Sequence, residues 1–490
     1  MTIVIQNKIR KAACFDDIVQ AFGEHFGFNV ESWKHQADEG RAILEKIDYA
    51  RSLSNPIDKA IAGASMSENL PSDKALRFAG LDPGTYKANV AEIFPLAENG
   101  KPETSLGKVT YEQYFKDGVL SPDVKNIAQK HFKISSQIED LRKRVAEKTA
   151  EINKRTQEKV DEYYYKSDLS EAKDNIVRVN RKISELGKKL QRKINNGAIS
   201  IEEADREYTK FNKIYKDQAK KDWETLNRIQ GEVAEIYKRS VIEVNNACGN
   251  LNNDIEKLTT ESLKPATQEF YEKTVCFILD SSPISKEKAT IWAGSQSITD
   301  SAKRRLKKQG YPVEQLKEDM AEFYRLCGGR VETLDILTDR KRRAHADVYE
   351  KKVYLDSDFN KTALFHEMAH LLESNEHIRR ASNHFRDKRT QGKSLKSLRT
   401  LTGNKGYKRN ENAFEDGFID PYVGKYYSSG MTEVCSMGFQ QFATPDKAMV
   451  FYQKDPEMFQ FIFGMMNSPI TDLEKRRIDA AGKAGKDGDK

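Results

Sequence analysis

The chain has 490 residues, of which 38% are hydrophobic and 32% charged, enough for two or three domains but more polar than one compact enzyme requires, so part of it is expected to be elongated. Lysine and arginine (82) exceed aspartate and glutamate (75) by only 7 charges, which argues against a nucleic-acid binder. The five cysteines, Cys14, Cys248, Cys276, Cys327 and Cys435, are odd in number and form no C-x-x-C pair, which argues against a disulfide framework or a thiolate metal site and fits a reducing compartment.

In chain order, residues 1–120 hold Phe22, Phe26, Phe28 and Trp33, with turn signals at Asn69-Leu70-Pro71-Ser72 and Leu81-Asp82-Pro83-Gly84. They are expected to form a helical domain of unknown role. From Val124 the apolar positions advance in steps of three and four through Ile127, His131, Ile134, Ile138, Leu141 and Val145, the seam of a long helix. A second seam, Ile176, Val179, Ile183, Leu186 and Leu190, stops at Asn195-Asn196-Gly197, suited to a left-handed cap. Ser200 and Glu203 then have capping-box spacing, and a third seam follows through Ile201, Ala204, Tyr208, Phe211 and Tyr215, continuing at Leu226, Ile229, Val233, Ile236 and Ser240. Short connections between long helices predict an antiparallel helical arm over 121–265, a spacer or a docking arm for a partner protein.

Beyond it the texture changes: Val331–Leu337 and Lys352–Leu355 are β-prone and precede an apolar helix from Thr362 to Glu373. A mixed α+β domain is expected over 285–475, then a disordered tail over 476–490. The expected fold class is thus mostly α. No stretch approaches the roughly 18 apolar residues of a membrane span, and the first residues lack the pattern of a cleavable signal. The expectation is a protein cytoplasmic as synthesised, which leaves delivery by a dedicated secretion system open.

The chemistry concentrates at His366-Glu367-Met368-Ala369-His370. Histidines four apart on a helix project from one face and can reach one zinc ion at about 2.0–2.1 Å. Glu367, beside the first histidine, is placed to act as general base toward a zinc-activated water. With only eight histidines in 490 residues, chance rarely produces this spacing. Leu364, Phe365, Met368, Ala369, Leu371 and Leu372 predict burial of the helix, so its imidazoles need a partner.

A catalytic zinc takes three protein ligands. Glu373 shares the helical face but stands about 10 Å along the axis from His366, and His377 is one residue out of register for a third-histidine pattern. The third ligand expected is Glu433, in the apolar run Thr432–Phe442, with Glu411 and Glu415 as alternatives.

His366-Glu367-x-x-His370 with a downstream Glu433 resembles the gluzincin class of zinc metallopeptidases. Tyr422-x-Gly424-Lys425-x-Tyr427 with Thr432-Glu433-Val434-x-Ser436-Met437-Gly438, together with Arg342-Arg343-Ala344 and the Val353-Tyr354-Leu355 strand, resembles metallopeptidase domains carried by phages and their hosts. The resemblance spans about residues 290–467 and implies a zincin-like fold, a Zn2+ cofactor and association with a phage. It also implies a tyrosine that steadies the oxyanion: Tyr426 by likeness to lethal-factor-like toxins, Tyr427 by likeness to the phage-associated domains. Some gluzincins carry an aspartate four residues after the ligand glutamate to orient a histidine; Met437 stands there, which points to Ser436 for that role. Zincin-like enzymes bind extended peptides along an edge strand, and this implies Val353, Tyr354 and Leu355 as substrate-binding residues.

Residues 376–409 hold eleven basic and two acidic side chains, a concentration that makes Arg379 and Arg380 candidates for binding acidic substrate segments. The expected function is a zinc-dependent endopeptidase acting on a protein or peptide. The alternative is a coiled-coil structural or virion-associated interaction protein whose metal site is vestigial or structural.

Overall fold

The computed structural model describes residues 30–64, 71–93, 105–339 and 343–478. Cys14, Phe22, Phe26, Phe28, Asn69, Leu70, Arg342 and the 479–490 part of the expected tail lie outside them. The protein is mostly helical, with a small sheet in the C-terminal region. No described helix is long and apolar enough to cross a membrane. The described residues up to 129 and from 267 onward form one compact unit, and residues 130–266 form another.

The second unit is a helical hairpin. Helices α6 (Pro122–Lys166) and α7 (Leu169–Asn195) follow one another along α8 (Ile201–Leu258). Their antiparallel register is visible in Arg155–Glu243 at 2.8 Å and the buried Thr156–Ser240 hydroxyl pair at 2.7 Å, and farther along in Asn175–Asp222 at 3.4 Å. The caps are local: Gly197 adopts φ 68° after α7, and Ser200 with Glu203 forms a reciprocal capping box. The seam residues Ile134, Ile138, Ile176, Leu190, Ile229 and Val233 are buried. Ile201 is 71% exposed, because the seam begins only at Ala204.

In the first unit, α1 (Val30–Ser52), α2 (Pro56–Ala64), α3 (Asp73–Phe78) and α4 (Pro83–Ile93) are followed by α5 (Ser105–Asp117). The unit boundary falls between residues 129 and 130, and the helices before it group with those from 267 onward. Helix α5 packs against two C-terminal helices, α15 (Glu376–Arg389) and α19 (Pro456–Asn467), through a stack of Tyr111, Tyr114, Phe385 and Phe461. At the crossing a Cβ on Gly464 would lie 1.7 Å from the Tyr114 carbonyl, and one on Gly118 1.8 Å from that of Gln460. The expected tail also starts later than 476, since residues 472–478 are helical and Ile478 is buried.

Helices α9 (Lys264–Tyr271), α10 (Phe277–Ser281), α11 (Lys286–Ser295), α12 (Asp300–Gln309) and α13 (Val313–Leu326) lead to the sheet. Its strands β1 (Ser297–Ile298), β2 (Asp335–Thr338), β3 (His345–Asp347) and β4 (Lys352–Leu355) lie in the order β1-β2-β4-β3, with β3 antiparallel to β4 and the other pairs parallel. Strand β2 begins later than the Val331 expected, because β1 supplies partners only for Asp335 and Ile336. Strand β4 is interior, its main chain paired on both sides, with Val353 and Leu355 fully buried. The edge strand next to the helix Lys361–Leu372 is β3.

Helix α14 (Lys361–Leu372) follows, capped by Asn360, whose side chain accepts from the N–H groups of Thr362 and Ala363. Leu364, Phe365, Met368, Ala369 and Leu372 are fully buried. Phe323 of α13 joins Phe365 at 5.2 Å to Phe439 at 5.3 Å, which couples α14 to α17 (Val434–Phe439). A second sheet pairs β5 (Leu395–Ser397) with β6 (Asn412–Phe414).

Candidate active site

The apolar stripe of α14 turns its opposite side, with His366 and His370, toward a cleft; their rings are 4.9 Å apart and nearly perpendicular. Glu433 meets them from the loop that caps α17 rather than from within a second helix, with φ −103° at the N-cap position. Its Oε2 lies 3.5 Å from His366 Nε2 and 3.3 Å from His370 Nε2. Donors about 2.0–2.2 Å from one tetrahedral ion lie about 3.3–3.5 Å from one another, so these three atoms have the spacing of a shared ligand set. Glu367 also stands within 4.8 Å of both imidazoles. The closer approach of a single Glu433 oxygen to both Nε2 atoms makes Glu433 the better ligand and leaves Glu367 beside the set.

Each donor is held from behind. Gln440 Oε1 accepts the Nδ1–H of His366 at 3.0 Å, which turns Nε2 toward the cleft. Ser436 Oγ donates to Glu433 Oε2 at 2.7 Å, and the Tyr427 hydroxyl donates to Oε1. The role expected of Ser436 is therefore divided: Ser436 holds the glutamate, and Gln440 orients the histidine. Glu373, rejected as a ligand on distance, ties α14 to the Glu433 loop. It is fully buried and accepts the Thr432 N–H at 2.9 Å and the Thr432 hydroxyl. Asn383 of α15 supports the same loop by donating to the Gly430 carbonyl at 2.7 Å.

The electrostatics separate the carboxylates. Burial pushes Glu367 up to about 7, where a carboxylate can both take and release a proton near neutrality. Burial alone would raise Glu433 too, but the charge and hydrogen bond of His370, aided by His366, hold it far below the usual range. Burial likewise works against a charge on His370, and Glu433 outweighs it, raising His370 to about 9. His366 falls to about 4 through burial and the neighbouring His370.

The cleft has two chambers, of about 660 and 770 Å³. Both are walled by Arg343, His366, Glu367 and Tyr422, so His366 and Glu367 stand where they meet. Tyr427 lines the second chamber, and the β3 edge contributes His345 and Ala346.

Other sequence candidates fall elsewhere. Tyr426 is 48% exposed, packs on Phe414 and lines neither chamber. Val353, Tyr354 and Leu355 line neither, since their strand is interior. Arg379 and Arg380 are on α15 and also line neither; Arg380 pairs with Glu376. Six of the eleven basic side chains are engaged within the fold, among them Arg389, bonded to Asp416 and Asp455, both at 2.6 Å, and Lys388, bonded to the Tyr111 hydroxyl at 3.0 Å, whereas Lys408 borders the second chamber. Glu411 borders the second chamber and pairs with Lys425 at 3.1 Å, whereas Glu415 pairs with Lys396 away from it. His377 is buried against Glu474 at 3.1 Å.

Sequence reasoning missed Gln440, the tie made by Glu373 and the cleft position of Tyr422. A signal existed for the first two: Gln440 lies seven residues beyond Glu433, and Glu373 is a carboxylate at the end of an apolar helix. No family model, curated protein or solved structure matches the chain.

Proposed function

We propose that the protein is a zinc-dependent endopeptidase of gluzincin type, with a zincin-like catalytic domain. The observation that carries this reading is the approach of one Glu433 oxygen to the Nε2 atoms of His366 and His370 at 3.5 and 3.3 Å. The donor chemistry, two imidazoles and a carboxylate, suits zinc. Zinc held there would supply a Lewis acid that polarises the scissile carbonyl and lowers the pKa of water.

The chain's own residues divide the remaining work. Glu367 takes the proton of the attacking water and delivers it to the leaving amine, for which a carboxyl poised near 7 is suited. Tyr427, which burial and the adjacent Glu433 keep protonated, holds Glu433 through its O–H and, on turning that O–H away from Glu433, becomes the donor for charge developing on the carbonyl oxygen. Two chambers on either side of Glu367 suit an extended peptide crossing the site, its main chain pairing along the outer edge of β3. The test is metal analysis and an unbiased search for cleaved proteins, comparing the intact chain with Glu367→Gln. One zinc per chain in both and cleavage only by the former are expected; no zinc in either ends the reading.

The second reading, a structural or virion-associated protein with a closed metal site, draws on the hairpin of residues 130–266 and on Glu367 standing within 4.8 Å of both histidines. Were Glu367 a fourth ligand, Glu367→Gln would lose zinc.

A further inference from the structure

The cleft contains one cation whose setting the proposed chemistry does not use. Arg343 walls both chambers. Its guanidinium carbon lies 5.5 Å from the ring centroid of Tyr422 and 5.9 Å from that of Tyr407, and Nη2 reaches the Tyr422 hydroxyl at 3.5 Å. Lys425 donates to the same hydroxyl at 2.9 Å, so Tyr422 is held between two cations. The nearby cations are neutralised by the protein: Lys361 bonds Glu322 at 2.7 and 2.8 Å, and Lys425 bonds Glu411 at 3.1 Å. Lys408 and Lys447 are exposed and each borders only one chamber. Among the described residues no carboxylate forms an ion pair with Arg343, and Glu411, which also acts on it electrostatically, is bonded to Lys425.

A guanidinium braced by aromatic rings loses little freedom on binding and keeps donors for a planar, bidentate acceptor. We infer that Arg343 is a specificity-determining residue that receives a carboxylate of the bound peptide, so that peptides presenting a carboxylate near the cut are the substrate class. This rests on the peptidase reading for its catalytic consequence, but the binding can be measured without catalysis. The carboxylate can come from an Asp or Glu side chain near the cut or from a free C-terminus.

Three random decapeptide libraries separate these sources: one containing Asp and Glu with amidated C-termini, one lacking Asp and Glu with free C-termini, and one lacking both carboxylates. Retention is measured on immobilised, zinc-loaded Glu367→Gln protein, with and without Arg343→Gln or Arg343→Lys. Cleavage is measured with the otherwise intact chain, and zinc content confirms that each variant is folded. At least tenfold stronger retention of one carboxylate library is expected, abolished by Arg343→Gln and partly kept by Arg343→Lys. Whichever library is favoured identifies the source. In cleavage, Arg343→Gln should raise KM for that library, and Arg343→Lys should raise it less.

Equal retention of all three libraries, retention of none, or a preference that survives Arg343→Gln overturns the inference. So does an equal fall in kcat for every library, which would assign Arg343 to the oxyanion instead. Arg343-dependent retention without cleavage of any library would sink the peptidase reading and leave the carboxylate site standing.

Discussion

Glu367 stands within α14 and Glu373 at its C-terminal cap, and burial pushes both up to about 7, yet their neighbours give them different work. Glu367 faces the cleft, whereas both oxygens of Glu373 are occupied by Thr432. Glu367→Gln should therefore keep zinc and lose cleavage, while His366→Ala, His370→Ala or Glu433→Ala should lose zinc in metal analysis. Groups that hold metal ligands typically matter by about 10–100-fold in affinity or activity, and Gln440→Ala and Glu373→Gln are expected to weaken zinc within that range in competition with a chelator. A zinc affinity unchanged by both would mean that the ligands are oriented by packing alone. Farther away, Glu474 bonds Arg330 at 2.9 Å and His377 at 3.1 Å, all three buried. Although burial alone would raise it, Arg330 first, then His377, depress Glu474 well below its ordinary 4.5. A depressed carboxyl contributes stability that is complete above its unfolded value and is lost as pH falls through the folded one. Thermal melting should thus drop below about pH 4.5, and Glu474→Gln should lower the neutral-pH melting temperature while flattening that dependence.

At the scale of elements, the active helix was legible because its apolar positions, its Asn360 cap and its histidine pair obey one 3.6-residue period. The sheet was not. Strand order depends on which segments meet, and residues 352–355 look equally β-prone at an edge or in the middle. Only pairing shows that β4 is interior and β3 is the edge. The α5–α19 crossing was equally hidden, since isolated glycines at 118 and 464 do not announce that two backbones touch there. A Cβ on Gly464 would meet the Tyr114 carbonyl at 1.7 Å, with no flexible side chain to yield. Gly464→Ala should destabilise the first unit by about 3 kcal/mol or more in denaturant melts; a loss below about 1 kcal/mol would show that the helices separate easily.

At the scale of the whole molecule, the two compact units are stabilised by different means. The arm relies on a repeating seam along 58 residues of α8, and the other unit on an aromatic core with few repeats. Ile229 is fully buried in the seam. Ile229→Asp would place an unpaired carboxylate there and should lower the helical signal of the arm while leaving zinc content at the wild-type value. A parallel loss of zinc would mean that the units do not fold separately.

Sequence alone determined what local physics controls: the heptad seams, the capping box at Ser200, the mostly helical class, and two histidines one turn apart on a buried helix with Glu367 between them. Each depends on residues within a few positions of one another. Glu433 could be nominated from its apolar surroundings, but its meeting with His366 and His370 across more than sixty residues is set by how α13, α14 and α17 pack around Phe323. Tertiary structure likewise decided that six of the eleven basic side chains after residue 376 are bonded within the fold and that Arg343 stands at the cleft. Charge is a property of a residue, but its availability depends on which carboxylates the fold brings beside it.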